Sequence, residues 1–101
     1  MKRSLITLAF ALSVGAPAFA DQALATSKDC RACHAVDKKL VGPSFKDVAN
    51  RYASQSDATA KLASKNVKGG SGLWGPVPML ANNQVSEADA QKLAAWVLSL
   101  K

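Results

Sequence analysis

The chain has 101 residues, with 13 Lys and Arg against 7 Asp and Glu (formal net charge +6), two cysteines and one histidine. That length holds one small domain, and so mild and scattered a basic excess argues against nucleic acid as a partner. The cysteines are too few for a multi-disulfide scaffold, and no apolar run is long enough to span a bilayer.

The first element is not part of the domain. Lys2 and Arg3 precede an apolar run, Leu5 to Val14, broken only by Thr7 and Ser13, and Ala18-Phe19-Ala20 is a small-x-small site before Asp21. This pattern is read as a secretory signal peptide, residues 1–20, cleaved after Ala20, rather than as an anchor helix. The expected mature protein is residues 21–101, exported, with no membrane insertion after cleavage. A signal of this length and charge suits a bacterium, so the expected compartment is the periplasm. Without Lys2 and Arg3 the balance is 11 basic against 7 acidic residues. A domain this small buries a marginal core and needs a staple. A disulfide between cysteines three positions apart would close a tiny loop and contribute little.

The remaining elements read as helices with turn-rich gaps. Asp21 to Lys28 is a short helix, with Asp21 suiting its dipole. Gly42-Pro43 breaks the chain and Ser44 caps the next helix, where Phe45, Val48, Ala49 and Tyr52 share one apolar face. Asp57 is the expected N-cap of a third helix to about Val67. Residues 68–84, with four glycines and two prolines, are expected to hold no regular structure, and so long a loop in a small domain is usually functional. In the last helix Ser86 caps, Asp89 stands in the capping-box position and Val85 staples onto Ala90. Leu93, Trp96, Val97 and Leu100 make its buried stripe. No stretch alternates as a strand does, so the expected fold class is all-α, with helices folded round a central group.

That group is suggested by Cys30-Arg31-Ala32-Cys33-His34, which contains every cysteine and histidine of the chain. Zinc needs four ligands, and only three are here, with Cys33 and His34 adjacent. A thioredoxin-like pair needs a βαβ setting that is missing. A plain disulfide with a structural histidine is the bland alternative. The best reading is c-type haem attachment, for which C-x-x-C-H is the signature. Two thiols on one turn reach the two vinyl groups at one edge of the macrocycle, and the next residue offers its imidazole to the iron. The thiols are consumed, and the missing staple is supplied.

A sixth ligand follows by elimination. No second histidine exists, Met1 leaves with the signal, and Met79 is the only methionine left. His34/Met79 ligation raises the potential and closes the iron to small ligands, which suits electron transfer. The imidazole's other nitrogen needs an acceptor, for which the Pro43 carbonyl is the candidate. The Trp74 N–H is a candidate donor to a haem propionate, and Lys65 or Lys68 a candidate charge partner. Arg31, Lys38, Lys39 and Lys46 lie near the attachment segment and are expected to steer acidic partners.

Taken with Val41-Gly42-Pro43, Lys46-Asp47-Val48-Ala49, Gly72-Leu73-Trp74-Gly75-Pro76-Val77-Pro78-Met79 and Ala94-Ala95-Trp96-Val97-Leu98, the chain resembles the bacterial class I c-type cytochromes of the short c-551/c-552 (cytochrome c8) type. The resemblance covers residues 21–101. It implies a small class I fold of about four to five helices round one covalent low-spin haem c, with thioethers at Cys30 and Cys33 and axial ligands His34 and Met79. It also implies supporting roles for Pro43, Trp74, Lys65 and Asn82, whose amide would tune the methionine sulfur. The implied function is that of an electron carrier, not an enzyme. It would shuttle single electrons from a respiratory donor complex to a periplasmic nitrite reductase, cytochrome c peroxidase or oxidase, and a monomer is expected. The chain departs from the family where Leu80-Ala81 replaces Pro-Pro after the methionine and where Ala25 stands near the place of a first-helix aromatic. The loss of Pro-Pro leaves an iron with a weakly held sixth site as the rival reading.

Overall fold

The computed structural model describes residues 18–101. The secretory segment expected at 1–20 therefore lies outside the described residues up to position 17, and the expected cleavage point falls inside the first helix, α1 (Ala18–Ser27). A single 3-10 turn (Cys30–Ala32) follows, then α2 (Phe45–Tyr52), α3 (Ala58–Lys68), two short strands β1 (Gly70–Gly72) and β2 (Gly75–Met79), and α4 (Glu87–Leu98).

The helix starts follow from local chemistry. The Ser44 hydroxyl accepts from the Asp47 N–H at 3.1 Å, and the Ser86 hydroxyl accepts from the Asp89 N–H at 3.1 Å. Each thereby satisfies a donor that the first turn leaves without an intrahelical partner. Asp57 occupies the cap position of α3 without capping it. Its backbone (φ −101°, ψ 16°) is not extended, and its carboxylate pairs with Lys61 Nζ one turn on, at 3.4 Å.

Helix α4 is the hub, packing against α1, α2 and α3. Ala90, Leu93, Ala94 and Trp96 of α4 are buried with Ala25, Phe45, Ala63 and Val85. The Phe45 ring meets Trp96 edge-on, with centroids 5.3 Å apart and planes at 68°, the geometry aromatic quadrupoles favour. Val97 and Leu100 pack against this core only half-buried.

Residues 68–84 differ from the expectation of no regular structure. β1 and β2 pair antiparallel, Gly70 opposite Met79 and Gly72 opposite Gly75, with an irregularity between. The hairpin enters through Gly69 at φ 70°, where a Cβ would lie within 2.9 Å of the Leu80 carbonyl carbon and nearer still to the Met79 carbonyl. Only glycine tolerates both that angle and that approach.

Candidate functional site

The elements surround one cavity of about 360 Å³, within the range of small-molecule and cofactor sites. Its walls come from every helix and from the hairpin, and most of the side chains lining it are apolar or aromatic. Cys30, Cys33, His34 and Met79 all line it, although Met79 lies 45 positions beyond His34 in the chain.

The attachment segment is a tight backbone turn. The Cys33 and His34 N–H groups both donate to the Cys30 carbonyl, at 3.3 and 3.0 Å. Asp29 leads into it with φ 62°, the only described non-glycine residue in the left-handed region; aspartate tolerates this better than most residues. Cys30 is half-buried and Cys33 exposed, and both are free thiols. Burial pushes the Cys30 thiol above its ordinary value, a backbone hydrogen bond opposes this in part, and the nearby Asp29 carboxylate adds to the rise.

His34 is held on three sides. Its Nδ1 donates to the Pro43 carbonyl at 2.7 Å; a carbonyl only accepts, so Nδ1 carries a proton and Nε2 is the nitrogen left to meet a metal. Phe45 stacks on the imidazole, centroids 5.3 Å apart and planes at 25°. Gly42 lies against the ring, so that a Cβ there would stand 2.8 Å from Nδ1 and 3.1 Å from Nε2. The Gly42 N–H also donates to the Cys33 carbonyl at 2.8 Å, so the backbone has little room to retreat. Gly42→Ala is therefore expected to displace the imidazole from Pro43 and to cost about 1–3 kcal/mol by overpacking. The measurement is the denaturant midpoint of the haem-loaded protein, and an unchanged midpoint would contradict this account of Gly42.

Met79, at the end of β2, is half-buried and lines the same cavity. Trp74 lines the cavity and is 39% exposed, and the Arg51 guanidinium sits 4.7 Å above the ring centroid. Of the two candidate lysines, Lys65 lines the cavity while Lys68 is exposed and does not. The Asn82 amide nitrogen donates to Asn66, at 2.8 Å to its carbonyl and 3.3 Å to Oδ1. It thus ties the loop after Met79 to α3. The Arg51–Trp74 stack and the fixing of His34 by Gly42 were missed in the sequence. Neither has a periodic signal, and only the Gly-Pro dipeptide marked the second.

Among the described residues no three His, Cys, Asp or Glu side chains cluster to hold a bare metal ion. The donor set fits a haem instead: an apolar slot, one imidazole with its outer nitrogen already satisfied, one thioether, and two thiols on one turn.

The family model described as Cytochrome c matches residues 20–101. The chain is 50% identical over 93 residues to cytochrome c-552 of Nitrosomonas europaea, covering 92% of this chain and 90% of that protein. It is 48% identical over 98 residues to cytochrome c-551 of Pseudomonas aeruginosa, covering 97% and 93%. The crystal structure of the Nitrosomonas europaea cytochrome superposes with a TM-score of 0.78, covering 79% of this chain and 99% of that one. Class 1 cytochrome MtoD of Sideroxydans lithotrophicus, 32% identical, superposes at 0.69 over 85% and 98%.

Proposed function

The chain belongs to the cytochrome c family, whose members are electron carriers with one covalent haem c rather than enzymes, and from that premise we propose that it is an exported, periplasmic single-electron shuttle with its haem held by Cys30, Cys33, His34 and Met79. The observation that carries the residue assignment is the convergence of these four side chains on one apolar cavity, with His34 Nδ1 engaged by Pro43 at 2.7 Å. Cys30 and Cys33 would hold the haem covalently, each thiol S–H adding across one vinyl group to leave a thioether. When bound, the haem supplies a one-electron Fe(III)/Fe(II) couple.

The chain's own residues do the rest. The Pro43 carbonyl fixes the His34 tautomer, raises the basicity of Nε2 and holds the ring with Phe45. Met79 would supply the thioether ligand, which favours the reduced state. Trp74 and Lys65 offer an N–H and a positive charge to acidic groups at the rim, and Asn82 anchors the segment that follows Met79. Nothing in this set moves a proton or activates water.

Redox partners follow from the family. A respiratory donor complex and a periplasmic reductase, peroxidase or oxidase are the proposed ones, reached by a monomeric carrier. Arg31, Lys38 and Lys39 are exposed near the attachment segment, whereas Lys46 is paired with Asp37 at 2.7 Å. Neutralising the first three is expected to flatten the ionic-strength dependence of electron transfer to an acidic partner, while neutralising Lys46 does less. Equal effects from Lys46 and Lys38 would contradict this ranking. Among the described residues no helix is long and apolar enough to cross a membrane, and export with cleavage predicts a secreted protein beginning at Asp21.

The test of function is a visible spectrum of the exported protein, oxidised and reduced, with and without carbon monoxide. A low-spin covalent haem with a sulfur-to-iron band when oxidised, indifferent to carbon monoxide, is expected. A high-spin spectrum that shifts with the gas would replace the carrier with a ligand-binding protein.

A further inference from the structure

We propose that Arg51 is a clasp: by stacking on Trp74 it holds the β1–β2 hairpin, and so Met79, across the mouth of the cavity. The inference rests on the assignment of Met79 as the sixth ligand and adds a positioning residue that controls how readily it lets go.

The hairpin has little else to hold its tip. Among the described residues its extensive contacts are between its own two strands, while the helices pack on one another. Its root is tied to α3 through the Asn82–Asn66 hydrogen bonds and through Gly69, whose N–H donates to the Lys65 carbonyl at 2.8 Å. Its tip is the turn between Gly72 and Gly75, which carries Leu73 and Trp74, both substantially exposed. Across from that tip is Arg51, in the last turn of α2. Helix α2 is itself fixed, because Phe45, Ala49 and Tyr52 are buried.

The geometry is that of an attractive pair. The guanidinium carbon is 4.7 Å from the indole centroid, inside the distance at which a cation is drawn to the negative face of the ring. Among the described residues no carboxylate forms an ion pair with Arg51. Met79 pairs with Gly70 at the root. A swing at the tip therefore becomes a rotation of the ladder at Met79, which turns its side chain out of the cavity. The next residue cannot resist, since Leu80 is 78% exposed and is not the proline that would stiffen the exit.

The test uses the ferric haem-loaded protein and imidazole as the probe. Imidazole nitrogen replaces the Met79 sulfur on the iron, and the sulfur-to-iron band disappears at a rate limited by Met79 release. Arg51→Ala is expected to speed this about two- to fivefold, the worth of an exposed cation–π pair, and Arg51→Lys to restore most of the wild-type rate. In a Trp74→Leu background, Arg51→Ala should add nothing. Amide exchange should quicken at residues 70–79 and stay unchanged in α4. A wild-type rate in Arg51→Ala, or the same acceleration with Trp74 already removed, overturns the clasp and leaves the ligand assignment intact. A wild-type protein with no sulfur-to-iron band overturns the assignment and the clasp together.

Discussion

Replacing Met79 by alanine is expected to open the iron. The oxidised protein should lose its sulfur-to-iron band, bind carbon monoxide when reduced, and fall in reduction potential by on the order of 100 mV or more, a fraction of the roughly 0.8 V over which axial ligands set haem potentials. The reasoning is by donor supply. Met79 is the only thioether on the cavity wall, and the only imidazole, His34, is committed to one face with its Nδ1 bound to Pro43. No described histidine is in reserve, so water or an added ligand takes the site. The fold should survive, because Met79 lies at the end of a strand and outside the buried core cluster. If the potential and carbon monoxide affinity of Met79→Ala matched those of the unaltered protein, Met79 would not be the ligand.

The largest loss of stability is expected from Phe45→Ala, at about 3–5 kcal/mol. Phe45 is 6% exposed and sits between two aromatic rings, flat on His34 and edge-on to Trp96. Truncation removes both contacts and leaves a void beside the cavity. Because small domains have only about 5–15 kcal/mol in total, the variant should unfold at a far lower denaturant concentration. Phe45→Leu should recover part of the difference in the same titration, since it restores volume without the ring. A loss below about 1 kcal/mol for Phe45→Ala would mean that the cavity wall collapses to fill the space, and that the His34 stack contributes little.

Much of this was legible in the chain, and the residues show why. C-x-x-C-H works within one turn, so spacing alone places its groups. The caps at Ser44 and Ser86 are also local, each bonding a backbone N–H three residues on. The apolar face of α2 and the core of the α4 stripe follow from a single period. The unread features depend on chain geometry or on distant partners. Asp57 has the right chemistry for a cap, but its backbone turns the carboxylate towards Lys61. The β1–β2 hairpin has no alternating pattern, because glycine and proline fill it and the cavity replaces the second layer that would demand alternation. The stacking partner of Trp74 is Arg51 of α2, far away in the chain. Asn82 spans from the loop to Asn66 of α3, a pairing that no local signal encodes.

Because α4 packs on each of the other three helices and supplies half of the buried cluster, the order in which the chain emerges has a consequence. Leaving a ribosome or a translocation channel from its N-terminal end, the polypeptide delivers Cys30 and Cys33 well before Leu98. Until the last helix arrives there is nothing for α1, α2 and α3 to close upon. For that interval, seconds at synthesis rates of ~5–20 residues per second, the two thiols stand on an open strand of chain rather than at the edge of a filled cavity. The same architecture that later seals the site leaves its covalent chemistry accessible first, so α4 works as a timer as well as a wall.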